Sequence, residues 1–511
     1  MEEEAGRRTA GSTFSPRYLL DTMGTRAWML VCPIVVVAAL LRLWEIGSWP
    51  VFIDEDFYVW DIAGVAKLPL AEVIRSTYGG KGPLPFLVLA KLGLVTGDFL
   101  IAGRVVAACA GTASTILCFF LGRRLAGPYA GLLTAFLYAT SPVAILHERM
   151  ALMDGPLTAL SLGAVLLGWQ AIERRSWMWA ALAWIPGILA VQCKVPAIAT
   201  CLALLLIVPS YRGTMKSRLK FAFTVAAAPL ASYLVMLASP FAAGLADQNA
   251  QLVGAPSVNM LLENLSNLLD SISSYLPAGL WLFVLAGAVL LLQDHSRRGL
   301  FILATILMWS LPWLIFSRFA PSRYYLPALP YVCALAGAAL TRLPALSVMT
   351  RQSIRIIAVA LCVLVPVLAG AAGVQMVTAH TTATLTKLDD WQYRSGWPSG
   401  YGYREAADFI SGMAEPGSAV AYVIDSNHRV GAGFLRPLPP GVDSLGLQSL
   451  DATLAGKRAG ILYVVVDDGL EKPGQRVSVV LARELRLSVI AYFPRPGSET
   501  GVYILSTRAG L

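Results

Sequence analysis

Three acids in a row, Asp54, Glu55 and Asp56, stand in the stretch WPVFIDEDFYVWD among Trp49, Phe52, Phe57, Tyr58 and Trp60. Carboxylates take protons and hold hard cations, so these residues could supply a general base or a divalent-metal pair. On a helix begun near Asp54, the side chains of Asp54, Tyr58 and Asp61 share one face. Val59, Ile62, Ala63 and Ala66 fall on another, which describes a helix lying in a membrane interface with its acidic edge towards water. The plain alternative is a wet loop with interfacial aromatics. Asp54 and Asp56 alone are a weak metal signal, because two acids two apart are common by chance. The residues by themselves leave a divalent-ion cofactor on Asp54 and Asp56 open.

Four other groups carry chemistry. GGKGPLPF sets Lys81 in a Gly-flanked turn, where it could meet a phosphate as a point charge or simply snorkel to water. HERMALMDGP puts His147, Glu148, Arg149 and Asp154 at the outer mouth of two helices, where the plain alternative is a solvated loop whose arginine pairs with a neighbouring acid. QCKVP places Lys194 between two apolar runs with almost no loop, which is more suggestive for an ionisable group. SRFAPSRYYLPALP brings Arg318, Arg323, Tyr324 and Tyr325 to the end of another run. Arginine suits forked recognition of phosphate, and an interfacial anchor is the plain alternative.

What must hold these groups is a membrane bundle. Of the 511 residues 56% are hydrophobic and 14% charged, far below the roughly one quarter charged of soluble domains. The net charge of +9 does not point to nucleic acid, because Lys and Arg come in short groups between apolar runs. The seven cysteines lie in or beside those runs without metal-ligand spacing and read as small buried hydrophobes. Eleven runs are candidate spans: 27–44, 101–121, 127–146, 154–171, 176–193, 195–210, 220–241, 275–293, 299–317, 324–341 and 355–378. The first follows a basic N-terminal stretch and is expected to act as an uncleaved signal anchor.

A twelfth stretch, 83–97, decides the sidedness. If it lies in the interface, Arg123–Arg124, Arg174–Arg175, Arg212 to Lys220, Arg297–Arg298 and Arg342 to Arg355 all fall inside, and the outer loop 242–274 holds no Lys or Arg. That is the positive-inside pattern, and inserting 83–97 would reverse it. The expectation is a mainly α polytopic protein of about eleven spans. It comprises a cytoplasmic tail 1–26, a membrane domain 27–380 whose first outer loop 45–100 carries interfacial helices, and a small extracytoplasmic α/β domain 381–511. Every chemical cluster then faces outward.

Acids, cations and aromatics on one membrane face suit an anionic, lipid-anchored substrate. The order of the motifs, DEDFYVWD, KGPLP, AGRVVAACAG…LGRRLAGPYAGLLTAFLYATSP, RMALMD, KVP and RYYLPALP, resembles the polyprenol-phosphate-sugar glycosyltransferases of the GT-C superfamily over about residues 27–345. The protein O-mannosyltransferase and lipid A aminoarabinose transferase group is the most similar. The resemblance implies that Asp54 is the general base, that Lys81 and Arg323 contact the donor phosphate, and that Asp154 organises the acceptor side. It leaves Glu55, Tyr58, Arg149, Lys194, Tyr324 and Tyr325 as further substrate-site candidates and implies no metal. The implied partners are a polyprenyl-phosphate sugar, membrane lipids and an acceptor that is protein, lipid or glycan, with no nucleic acid. The implied setting is a bacterial plasma membrane with the site outside. The usual Lys-Pro-Pro is Lys81-Gly82-Pro83 here, which loosens the turn. A transporter or flippase for a lipid-linked sugar is the competing reading, disfavoured by spans almost free of interior charge.

Overall fold

The computed structural model describes residues 24–75, 81–208, 211, 213–238, 253–276, 279–293, 297–342, 352–423, 440–445, 461–467 and 487–507. Each of the eleven apolar runs is helical where described. The first part of the chain forms α1 (Gly24–Leu43), α2 (Ile53–Val65), α3 (Leu70–Arg75), α4 (Pro83–Thr96), α5 (Phe99–Ala126), α6 (Pro128–Ala139), α7 (Pro142–Glu148) and α8 (Asp154–Arg174). Next come α9 (Trp177–Leu182), α10 (Trp184–Cys193), α11 (Ile198–Ile207), α12 (Met215–Ala238), α13 (Val258–Tyr275), α14 (Leu280–Gln293) and α15 (Arg297–Phe316). A 3-10 turn over Ser322–Ala328 leads into α16 (Leu329–Arg342), and α17 (Gln352–Thr378) follows.

Six of these helical stretches are long and apolar enough to cross a membrane, and eight if the bent pairs α6–α7 and α13–α14 each count as one, among the described residues. About eleven were expected. The difference lies in breaks that a hydropathy pattern does not register. The run 176–193 is split into α9 and α10, and the run 127–146 bends by 57° before Pro142, a residue whose fixed φ favours a helix start.

The twelfth stretch, α4, is a 14-residue helix of about 21 Å, short of a roughly 30 Å hydrocarbon core. Gly97 ends it in the left-handed conformation, and the Asp98 side chain caps α5 by accepting from the Ile101 N–H at 2.9 Å. Lys81, just before α4, lies over Tyr58 of α2, and Arg104, early in α5, pairs with Glu55 of the same helix. The chain therefore enters and leaves α4 beside α2.

Close helix packing uses small residues, as it does where lipid provides no hydrophobic drive. A Cβ on Gly131 of α6 would meet the Phe119 carbonyl oxygen of α5 at 2.6 Å. One on Gly337 of α16 would meet Thr134 Oγ1 of α6 at 2.6 Å, so three helices touch almost backbone to backbone. Buried ion pairs fix the chain where helices end. Arg42 Nε lies 2.7 Å from Glu148, which also accepts from the Tyr138 hydroxyl at 2.6 Å.

Beyond α17, the short helix α18 (Lys387–Asp390) and the turns up to Ser399 return to the bundle. Then α19 (Tyr403–Met413) packs on a five-stranded sheet of β1 (Ala419–Val423), β2 (Asp443–Leu445), β3 (Leu462–Asp467), β4 (Ser488–Pro494) and β5 (Gly501–Ser506), in the order β2-β1-β3-β5-β4. The β1–β2 and β1–β3 pairs are parallel, and the β3–β5 and β4–β5 pairs antiparallel. Strand β3 is buried along its whole length, as its unbroken apolar run LYVVV requires. Ile410 of α19, Tyr463 and Val465 share one core, whereas Val464 and Val466 belong to a second on the other face.

Candidate active site

Helix α2 carries the acids. Consecutive residues are turned by about 100°, so the three carboxylates point to different places. Asp54, with about a third of its side chain exposed, lies 2.7 Å from Arg323 Nη1. Asp56 is buried. Glu55 is fully buried and points the other way: it takes Arg104 Nε at 2.9 Å and Nη2 at 2.8 Å, the Ala151 N–H at 2.6 Å and the Phe52 N–H at 3.0 Å. Arg104 also donates to the carbonyls of Ile46, Trp49 and Pro50. Glu55 is thus committed to holding the first loop against α5, outside the cluster that gathers on Asp54.

That cluster is drawn from five parts of the chain. Arg323 comes from the 3-10 turn before α16, and its guanidinium lies 5.3 Å from the Phe52 ring and 5.6 Å from Tyr324. Asp154 opens α8 and accepts from Lys194 Nζ at 2.8 Å. Lys194, in an extended conformation after α10, also stands 4.6 Å from the Tyr324 ring. Lys81 Nζ lies 4.5 Å from the Tyr58 ring. The fifth contribution comes from the far C-terminal side of the bundle: Tyr393 packs on Phe52 at 4.7 Å and on His147 at 5.5 Å.

The structure brings together Asp54, Tyr58, Lys81, Asp154, Lys194, Arg323 and Tyr324 of the sequence-derived candidates. Arg149 is placed elsewhere. It donates to the carbonyls of Leu41 (3.0 Å) and Trp44 (2.7 Å) and lies over Trp49, fastening the end of α1. Tyr325 is half-buried beside the cluster, with no contact to it recorded among the described residues. Phe52, Asp61, His147, Ser322, Asp389 and Tyr393 complete the surroundings. His147 Nε2 is 2.7 Å from Ser322 Oγ, and Asp389 accepts from the Tyr275 hydroxyl at 2.6 Å. The signal that could have found the last two is LDDWQYRS, acids and aromatics immediately after the final apolar run.

The electrostatics follow from burial beside mixed charges. Burial pulls the Lys81 ammonium down to about 8, helped by the Lys194 charge and opposed by Asp54, Asp61 and Asp154. Burial raises Asp61 to about 6, and the Lys81 charge works against that rise. Burial, with the charges of Asp54 and Asp154, pushes the Tyr58 hydroxyl up, so it stays a neutral donor. Three carboxylates (Asp54, Asp61, Asp154) thus face three cations (Lys81, Lys194, Arg323). The turn that aims Lys81 is not loose: the Gly82 N–H donates to the Gln192 carbonyl at 2.8 Å. A Cβ at residue 82 would come within 1.6 Å of Gln192 Oε1. Proline in the family's usual Lys-Pro-Pro would remove that N–H and fill that space.

Asp54 and Asp56 stand two apart on α2, about 200° around the helix, and so face different sides. No group of three or more His, Cys, Asp or Glu is arranged to hold a metal among the described residues.

Residues 80–238 match the family model for dolichyl-phosphate-mannose-protein mannosyltransferase. No curated protein matches the chain by sequence. Among solved structures, ArnT from Cupriavidus metallidurans bound to undecaprenyl phosphate is similar at 15% identity and a TM-score of 0.59, covering 94% of this chain and 98% of that one. The apo state of the same transferase gives 16% and 0.57 over the same shares. The Archaeoglobus fulgidus oligosaccharyltransferase, in complex with Zn and sulfate, gives 14% and 0.51, over 92% of this chain and 73% of its own. The chain is accordingly an integral membrane protein with the GT-C glycosyltransferase fold, mannosyltransferase-like in sequence over residues 80–238 and ArnT-like in architecture.

Proposed function

We propose that the protein transfers a sugar, with inversion, from a polyprenyl-phosphate carrier to an acceptor hydroxyl on the extracytoplasmic face of a bacterial plasma membrane. The observation that carries this reading is the Asp54–Arg323 pair at 2.7 Å, with Lys81 and Lys194 close by. The donor phosphate and Asp54 compete for the same guanidinium. When the phosphate takes Arg323 and Lys81, Asp54 is released from its cation and is free to turn to the acceptor hydroxyl. The acceptor oxygen then attacks the anomeric carbon from the face opposite the phosphate. Its proton passes to Asp54, the carbon–oxygen bond to phosphate breaks, and polyprenyl phosphate leaves with the electron pair, its charge held by Arg323 and Lys81. Asp154, held by Lys194, organises the acceptor side, and the Tyr324 ring, stacked on Trp313, lies 4.6 Å from Lys194 Nζ and 5.6 Å from the Arg323 guanidinium. No step calls for a metal. The sidedness rests on the arginine distribution described above.

Asp54→Asn keeps the shape of the side chain but cannot take the proton. Turnover should fall by about 10²–10⁴-fold, the usual contribution of a positioned base, while donor binding survives. Single-turnover transfer from a polyprenyl-phosphate sugar, with binding measured in parallel, distinguishes the two. Full transfer by the Asn variant would remove Asp54 from the chemistry.

A further inference from the structure

The opposite end of the bundle holds a cleft lined by arginines. Helix α8 starts at Asp154 and runs 21 residues, about 30 Å, to Arg174. Helix α11 likewise leads away from Lys194, and α15 ends near Arg323 and begins at Arg297. Where these far ends meet α12, they enclose a cleft of about 810 Å³, within the range of small-molecule sites. Its floor is apolar: Trp169 and Phe301 pack edge to face at 5.4 Å, next to buried Ile207. Its polar wall is Arg175, Arg218, Arg297 and Arg298. Among the described residues the one carboxylate in the lining, Glu173, lies 3.5 Å from Arg124, whose carbonyl in turn accepts from Arg298 Nη1 at 2.9 Å. Arg218 Nε is buried with no hydrogen-bond partner among the described residues.

We infer that this cleft binds the phosphate headgroup of an anionic phospholipid in the leaflet opposite the candidate active site. Several guanidinium groups on one anion make forked, charge-assisted hydrogen bonds, and a basic pocket between membrane helices is the usual seat for such a headgroup. The adjoining helix faces identify a lipid rather than a soluble phosphate. Leu219 and Phe223 of α12 and Leu300 of α15 stand exposed next to the arginines, where acyl chains would lie.

The test is native mass spectrometry of the delipidated full-length protein titrated with phosphatidylglycerol, phosphatidylcholine or inorganic phosphate. Phosphatidylglycerol should bind at least about tenfold more tightly than phosphatidylcholine, and millimolar phosphate should displace little of it. The double variant Arg218→Gln, Arg297→Gln should lose about tenfold or more of that affinity. Arg218→Gln alone, at a half-exposed side chain, should lose part of it and covers a failure of the double variant to fold. Lys81→Ala, at the other end, should leave the cleft's phosphatidylglycerol affinity unchanged. Equal retention of both lipids, or undiminished phosphatidylglycerol binding in the arginine variants, would overturn the site. Full displacement by inorganic phosphate would overturn its assignment to a lipid.

Discussion

Asp54 and Glu55 are neighbours with opposite employment, and substitution should separate them. Glu55→Gln leaves Arg104 buried against a neutral partner, and breaking such a pair costs about 3–5 kcal/mol. Its signature is a lowered melting temperature with turnover per folded molecule largely kept, the reverse of Asp54→Asn. Lys81 makes the second prediction at this scale. Its charge is present below about 8 and lost above, so the donor KM of the wild type should rise as pH passes through that value. Lys81→Arg should start from a higher KM, because it is a poorer point charge, and stay flat to pH 10. Asp61 helps hold the proton on Lys81, so Asp61→Asn should move the rise to lower pH. Donor KM measured from pH 6 to 10 checks all three, and a flat wild-type profile would remove Lys81 from phosphate binding. Asp54, Lys81, Asp154, Lys194 and Arg323 were legible in the sequence because each is a charge at the wet border of an apolar run. Which of two adjacent acids meets water was not legible: that depends on where Arg104, 49 positions away from Glu55, arrives.

At the scale of elements, the turn Lys81-Gly82-Pro83 shows what a motif departure means. It is tied to the end of α10 through Gln192, so the glycine tightens the turn where the sequence reading expected loosening. Gly82→Ala should force the Gln192 side chain aside and raise donor KM with turnover kept. Adding Gln192→Ala should return much of the loss, a coupling that a double-mutant cycle measures directly. Gly82→Pro should not be rescued in this way, because it also removes the N–H to the Gln192 carbonyl, worth about 1 kcal/mol. Helical runs were legible from hydrophobic length. The breaks at Ala183 and before Pro142 were not, since apolar composition is the same on both sides of each.

For the whole molecule, the two ends of the bundle should report from opposite sides of the membrane. Single cysteines near residues 150 and 320 should react with an impermeant thiol reagent from outside intact cells, and those near 123, 174 and 297 should not. Labelling of 150 and 174 from the same side would contradict the crossing of α8. The return of the chain from α17 onto the bundle has a consequence in time. The ring of Tyr393 closes over Phe52 and His147, and Asp389 receives the Tyr275 hydroxyl, so one wall of the site is synthesised after every apolar run has been translated. At roughly 5–20 residues per second, that wall arrives on the order of 20–80 s after the first residue. A protein truncated after residue 380 should therefore insert into the membrane with Asp54, Lys81 and Arg323 all present and still transfer nothing. On the proposed reading, activity waits for the chain beyond its last apolar run, and a copy that stops short of Tyr393 spends no donor.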